Sequence, residues 1–160
     1  MKVILALFGM ILISGCLSGE LKVTDVSSEA KYKKWVGVNF KIKQEVLILF
    51  DSRYDMKSLR QPDITVYPTI AEYRKTGKTK KSWDSSESII GIAEVGREFE
   101  IISVGFYVFN TMIGKRGLLL VKDKNNGEKY YIHESDLFSF YLDKLSDYLE
   151  VIPRPPSSPR

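Results

Sequence analysis

Apolar and polar residues alternate most clearly in the second half of the chain, where the pattern predicts short β-strands. Residues 89–95, 98–104, 106–111, 118–123 and 128–133 each carry Val, Ile, Leu, Phe or Tyr at alternate positions or in short runs, with glycines between them. The same kind of pattern in residues 39–51 predicts two further strands. The chain is therefore mainly β in its patterning.

One turn between these strands has a specific sequence signal. Asn126-Gly127 favours a two-residue type I′ turn, because that turn needs positive φ at both central positions. Such a turn pairs Asn125 with Glu128 and places Val121 opposite Ile132. The residues that then face the core are Leu119, Val121, Tyr130 and Ile132, and Tyr131 faces away.

Two segments have helical spacing. Residues 135–147 place apolar side chains three and four positions apart behind a capping Ser135, which predicts an amphipathic C-terminal helix. Residues 149–152 then return as a strand, and a short helix is predicted between Pro68 and Gly77. We expect a mainly β fold, a small antiparallel barrel or sandwich with one amphipathic C-terminal helix, or α+β if that helix is long.

Composition restricts the chemistry. The chain has 160 residues, a net charge of +4, one Cys and one His. One thiol cannot form an intramolecular disulfide, and this Cys and His are too few for the usual zinc sites. Phosphate-loop, dinucleotide and calcium-loop patterns are also missing from the sequence, so we expect neither a metal nor a cofactor.

The N-terminal residues have the pattern of an export signal. Lys2 precedes an apolar run over residues 3–13, and small residues follow. Eleven residues are fewer than the roughly 20 that a helix needs to span a bilayer. Residues 1–15 are therefore predicted to be a signal peptide.

Ile13-Ser14-Gly15-Cys16 resembles the lipobox of bacterial lipoproteins. The resemblance implies cleavage before Cys16, a diacylglyceryl group on its sulfur, and a fatty acyl group such as palmitate on the new amino terminus. Two or three acyl chains hold a protein on a membrane stably, whereas one does so only marginally. Leu17 in the next position implies the outer membrane, facing the periplasm, if the host is Gram-negative. The alternative is an ordinary secretory signal with a chance Cys.

The remaining chain divides into three parts. Residues 16–30 are predicted to be the lipidated Cys and a polar tether, with a reach of about 45 Å when extended. Residues 31–152 are predicted to be one small β-rich domain. Residues 153–160 contain four prolines and are predicted to be a disordered tail.

Residues 89–140 loosely resemble a bacterial Src-homology-3-like barrel, through Val95-Gly96 before a strand, the predicted hairpin and a polar capped turn at residues 133–137. The resemblance implies a binding module and brings no catalytic residues with it.

We expect no enzymatic activity. His133 beside Glu134 could act as an oriented general base, but the sequence offers no Cys nucleophile after lipidation and no Gly-x-Ser-x-Gly elbow, so a structural His is favoured. Carboxylate pairs could cleave glycans, but nothing distinguishes them from solubilising charge. The pairs are Asp51 with Asp55, Asp84 with Glu87, and Glu98 with Glu100.

Aromatic and basic residues are the candidate binding groups. Residues 74–81 hold five cations and precede a Trp, so they could contact lipid phosphates or an acidic partner, although a solvated loop is the favoured interpretation. Nucleic acid is not expected as a partner of an exported, tethered protein. The candidate binding residues are Lys78, Lys80, Lys81, Trp83, Tyr107 and Tyr131.

These observations favour a lipid-anchored protein of the bacterial cell envelope that presents a small β-rich module to a protein or peptidoglycan partner without covalent chemistry. The alternative is a periplasmic inhibitor or immunity-type lipoprotein that blocks a toxin or a lytic enzyme.

Replacing the expected anchor tests the location. Cys16→Ala removes the sulfur that would carry the lipid, so we expect the protein to leave the membrane fraction. Fractionation followed by immunoblotting measures this, and an unchanged membrane fraction would contradict the lipobox interpretation.

Overall fold

The computed structural model describes residues 21–62, 67–77, 86–110, 114–134, 137–139 and 144–153. These residues are mainly β, as the sequence pattern predicted. The strands are β1 (Val23–Asp25), β2 (Asn39–Ile42), β3 (Val46–Asp51), β4 (Met56–Arg60), β5 (Glu87–Ala93), β6 (Glu98–Asn110), β7 (Gly114–Asp123), β8 (Lys129–His133), β9 (Phe138–Ser139), β10 (Lys144–Leu145) and β11 (Leu149–Ile152). The helices within the described ranges are α1 (Ala30–Lys33) and α2 (Ile70–Thr76).

Nine of these strands form one sheet. Its hydrogen-bonded order is β11-β2-β6-β7-β8-β4-β3-β5, with β1 beside β6, while β9 and β10 pair separately. The order is an open path that ends at β11 and β5. Strand β4 runs parallel to β8, with Ser58 opposite Tyr131, and the other pairs are antiparallel. The expectation of a purely antiparallel arrangement is therefore wrong at this one pair.

The sheet bends along one long ladder. Phe40 lies opposite Phe99 in the β2–β6 pairing, and Val46 lies opposite Ala93 in the β3–β5 pairing, in the same register. Between these two pairings, the Ile42 amide donates a hydrogen bond to the Arg97 carbonyl at 2.9 Å. The β2–β6 pairing therefore turns a corner and becomes the β3–β5 pairing. This corner curls the sheet, so the inner sides of most of its strands meet in one core.

Aromatic rings fill the centre of that core. Phe40 stacks on Phe99 with ring centroids 5.5 Å apart, and Tyr130 meets Phe99 edge-on at 5.8 Å. Burying a large apolar side chain contributes about 1.5–3 kcal/mol, so this cluster is a major source of stability. The four hairpin residues predicted to face the core are confirmed in it: Leu119, Val121, Tyr130 and Ile132.

A polar network closes the core at the corner. The Asp123 side chain is fully buried, and Arg97 donates to its Oδ2 from Nε at 2.6 Å. The Arg97 guanidinium also donates to the Tyr130 hydroxyl at 3.0 Å, and that hydroxyl donates to Glu128 at 2.6 Å. The buried charge of Asp123 is thereby paired, as a buried carboxylate requires.

A second layer covers part of the outer side of the sheet. Leu47, Leu49 and Ile89 point away from the main core and are covered by Tyr67 together with α2. The helix has a capping box between Thr69 and Glu72 and ends at Gly77 with φ of 60°. The short helix predicted from Pro68 to Gly77 is confirmed, with its first turn two residues later.

The turn after β7 differs from the predicted two-residue type I′ turn. Val121 lies opposite Tyr130, not Ile132, and the Asp123 amide bonds to the Glu128 carbonyl at 2.8 Å, so four residues form the loop. Asp123 accepts the Asn125 amide through its side chain, which stabilises the longer loop. The register moves by two residues, and because side chains alternate with a period of two, every residue keeps its predicted face.

The predicted amphipathic helix over residues 135–147 is wrong where the structure describes this segment. Phe138–Ser139 and Lys144–Leu145 pair as antiparallel strands. Phe138 packs edge-on against Trp35 at 6.4 Å, so contacts with the core override the helical spacing. The strand predicted at residues 149–152 is confirmed as β11.

The predicted tether to residue 30 is too long. Val23–Asp25 pairs with β6, and Val26 is buried in the core. A three-residue strand is too short to show a period in the sequence, which is why the pattern missed it. The folded part thus begins about eight residues earlier than expected; residues 1–20, with the expected signal peptide and Cys16, and the proline-rich tail after Pro153 lie outside the described residues.

Gly105→Ala should weaken the attachment of β1. A Cβ at Gly105 would lie 2.5 Å from the Val23 side chain and 3.2 Å from the Thr24 carbonyl, so β1 must shift, at a cost of about 1 kcal/mol. Hydrogen exchange of the Val26 amide, which donates to the Val104 carbonyl, should accelerate.

Gly91→Ala is the matched control, because its Cβ would meet only the Ile48 side chain at an ordinary 3.7 Å. Equal Val26 protection in the two variants would contradict the assigned contact.

Candidate functional site

Polar and aromatic side chains gather on the outer side of the sheet, next to the area that α2 covers. Tyr130 and Ile132 point into the core, so Tyr131 and His133 between and beyond them point outward. The register brings Ser58 of β4 opposite Tyr131 and Leu118 of β7 opposite His133. We call Ser58, Arg60, Tyr107, Tyr131 and His133 the outer-face cluster.

Tyr107 and His133 form the centre of the cluster. The Tyr107 hydroxyl lies 2.8 Å from His133 Nδ1, and the rings meet edge-on with centroids 5.4 Å apart. Tyr107 on β6 and His133 on β8 contact each other across β7, which lies between these strands. Leu118 of β7 faces outward beside them and is only 1% exposed. This part of the outer face is therefore largely shielded from water.

The surroundings keep the imidazole neutral. Burial lowers the pKa of His133, and the charges of Arg60 and Arg116 lower it further against the opposing effect of Asp51, to about 4. A neutral imidazole has one donor and one acceptor nitrogen. At neutral pH the cluster thus offers uncharged hydrogen-bonding groups from His133 and the tyrosines.

The structure gives His133 and Glu134 different hydrogen-bonding partners. The Glu134 carboxylate accepts the Gly117 amide at 3.0 Å, while the imidazole is bonded to Tyr107. The sequence suggested that Glu134 would orient the His133 ring, whereas in the structure the ring is hydrogen-bonded to Tyr107.

Arg60 links the cluster to the second layer. Its Nη1 donates to the Tyr67 hydroxyl at 2.8 Å, and that hydroxyl donates to the Glu87 carboxylate. Burial, and then the hydrogen bond to Glu87, raise the pKa of Tyr67. The phenol therefore remains protonated and fastens the covering segment to β4 and β5.

The structure locates only some of the residues predicted for binding. Tyr107 and Tyr131 lie on the same face. Arg74, the first cation of the basic stretch, belongs to α2 and pairs with Glu45 rather than lying in a loop. The predicted residues outside the described part of the chain are Cys16, Lys78, Lys80, Lys81 and Trp83.

Sequence reasoning missed two members of the cluster. Ser58 and Arg60 lie on β4, which was not predicted, because Met56–Arg60 has little apolar alternation. The parallel pairing that brings β4 beside β8 has no local sequence signal.

Three of the six carboxylates considered for acid-base chemistry have a cationic or hydrogen-bonding partner. Asp51 pairs with Arg53 at 2.7 Å and Glu98 with Lys124 at 3.4 Å, while Glu87 accepts from Tyr67. In the portion of the chain that the structure describes, no group of three or more His, Cys, Asp or Glu residues is placed to hold a metal ion. Within that same portion, neither helix is long and apolar enough to cross a membrane.

Comparisons of the chain with protein-family models, with curated proteins and with solved structures found no match. The function proposed below therefore rests on the sequence and on the geometry of the outer-face cluster.

The lowered pKa of His133 predicts a loss of stability in acid. The unfolded chain takes up a proton near the ordinary pKa of 6.5, whereas the folded chain does so only near 4. The free energy of unfolding therefore has its full value above pH 6.5. It decreases as the pH drops towards 4, by up to about 3 kcal/mol. Denaturant unfolding between pH 7 and pH 4 measures this loss.

His133→Gln should remove most of the loss in that pH range, since Gln does not titrate. His133 is the only histidine, so its NMR titration also reports the pKa directly. A midpoint near 6.5, or identical pH dependence in the variant, would contradict this assignment.

Proposed function

We propose that this protein is a lipid-anchored component of the bacterial cell envelope whose outer-face cluster binds a protein or peptidoglycan partner without covalent chemistry. The lipobox at Ile13-Ser14-Gly15-Cys16 supports the location. The observation that carries the binding role is the half-buried Tyr131, which lies on the outer face of the sheet next to the Tyr107–His133 pair.

The chemistry of the cluster suits recognition. Peptides and glycans present amides and hydroxyls, which pair with neutral donors and acceptors such as Tyr, Ser and neutral His. Tyrosine also gives a large contact area with little conformational freedom to lose. Tyr131 is half-buried, so part of its surface is exposed to solvent.

The fold proposed for this role is a Src-homology-3-like barrel. A single curled sheet around one core supports it, together with the bent ladder at the corner between β2 and β3. Small barrels of this kind commonly bind peptides in aromatic-lined grooves.

Binding by the full lipid-anchored chain in detergent tests this role. The chain is mixed with purified peptidoglycan and, separately, with envelope extract, and the bound fraction is measured for Tyr131→Ala. Loss of an aromatic anchor at an interface costs about 2 kcal/mol, so we expect binding to fall by at least tenfold.

Val151→Ala is the control, because Val151 is an exposed residue on β11, away from the cluster. Equal binding by the two variants, or no binding to either preparation, would refute the role of the cluster. A tight one-to-one complex with a lytic enzyme would instead favour the inhibitor alternative.

A further inference from the structure

The end of the sheet formed by β1, β6 and β7 projects beyond the other strands. The β8 ladder stops where His133 meets Leu118, and the Glu134 amide then bonds to the Gly117 carbonyl at 2.9 Å. Beyond that point β6 and β7 continue, with Val108 opposite Lys115. The hairpin end thus has β1 as its only further neighbour among the described strands.

This end carries exposed apolar and basic side chains. Val108 is 54% exposed and Val23 39% exposed. Lys115, opposite Val108, and Lys22 are also exposed, while Val23, opposite Tyr107, points to the other face of the sheet from Val108. We call these four residues the hairpin-end surface. A strand end with an exposed valine on each face and lysines near them suits the boundary between anionic lipid headgroups and acyl chains when it meets the bilayer end-on.

The chain enters the domain at the same end. Strand β1 is antiparallel to β6, with Val23 opposite Tyr107 and Asp25 opposite Gly105. Followed backwards from Val23, the chain therefore heads in the direction of the β6 end, past Val108. Residues 21 and 22, which precede β1, therefore lie at this end of the sheet.

The tether is too short to move the domain far from its anchor. Only seven residue steps separate Cys16 from Val23, which is about 25 Å at full extension. A compact domain of this size is about 35 Å across. In an anchored chain the hairpin-end surface therefore stays within about 25 Å of the bilayer, whatever the orientation of the rest of the domain.

We propose that the hairpin-end surface faces and contacts the bilayer that holds the lipidated Cys16. This inference rests on the proposed lipid anchor. The contact fixes the orientation of the domain, with the β5–β6 corner turned away from the membrane. Strand β6 has 13 residues and runs between these two ends, which places them at opposite sides of the domain.

Site-specific fluorescence quenching in vesicles tests this orientation. The lipidated full chain carries one added cysteine for an environment-sensitive dye, Val108→Cys, and is reconstituted in phosphatidylethanolamine and phosphatidylglycerol. Val95→Cys is the matched control, since Val95 is another exposed valine, at the corner before β6. Lys115→Cys is a second probe in case Val108→Cys does not fold.

We expect a nitroxide-labelled lipid to quench the Val108 dye at least threefold more than the Val95 dye, and aqueous iodide to show the reverse. Equal quenching at the two positions would overturn the proposal. So would a Val108 dye shielded from both quenchers, because a protein would then cover the surface.

Flotation of the same vesicles separates the two hypotheses. Chains that float with the vesicles but show equal quenching retain the anchor and refute only the orientation. Chains that fail to float refute the anchor itself, and the orientation with it.

Discussion

The buried ion pair between Arg97 and Asp123 fixes the corner on which the rest of the structure depends. A carboxylate with no exposed side-chain area is stable only with a close cation and further hydrogen bonds, and Arg97 supplies the cation. The same guanidinium holds Tyr130 on β8, while its own backbone belongs to the bend between β5 and β6. Removing the Arg97 charge would leave the fully buried Asp123 carboxylate without its cation, so the bend and the hairpin depend on this contact.

The curled sheet uses its two sides differently. Its inner side is filled by the aromatic core around Phe99. Part of the outer side is covered by Tyr67 and α2, and the Arg60–Tyr67–Glu87 contacts fasten that cover. The outer-face cluster lies next to this covered part. Polar side chains of β4 and β8 lie beside one another there, with Ser58 buried and Arg60, Tyr131 and His133 half-buried.

The sequence pattern predicted which side of the sheet a side chain faces better than it predicted which strands pair. The hairpin faces were correct despite a two-residue register error, because alternation has a period of two. The C-terminal helix failed because Leu137 and Phe138 are adjacent and both buried, which spacing along one segment does not reveal. In the candidate site, Tyr107 and Tyr131 could be found as aromatic residues on strands. The contribution of β4 could not, since it depends on a parallel pairing between distant segments.

That parallel pairing also bears on the export that we propose for this chain. Ser58 and Tyr131 are more than seventy positions apart, and Val23 and Tyr107 more than eighty. Contacts between such distant segments form slowly, because closing a long loop lowers the chain entropy before the stabilising contacts have formed. A polypeptide exported through a translocation channel must stay unfolded until it has crossed. In this chain the topology itself would delay folding, and the predicted signal peptide would have time to act before the sheet closes around its core.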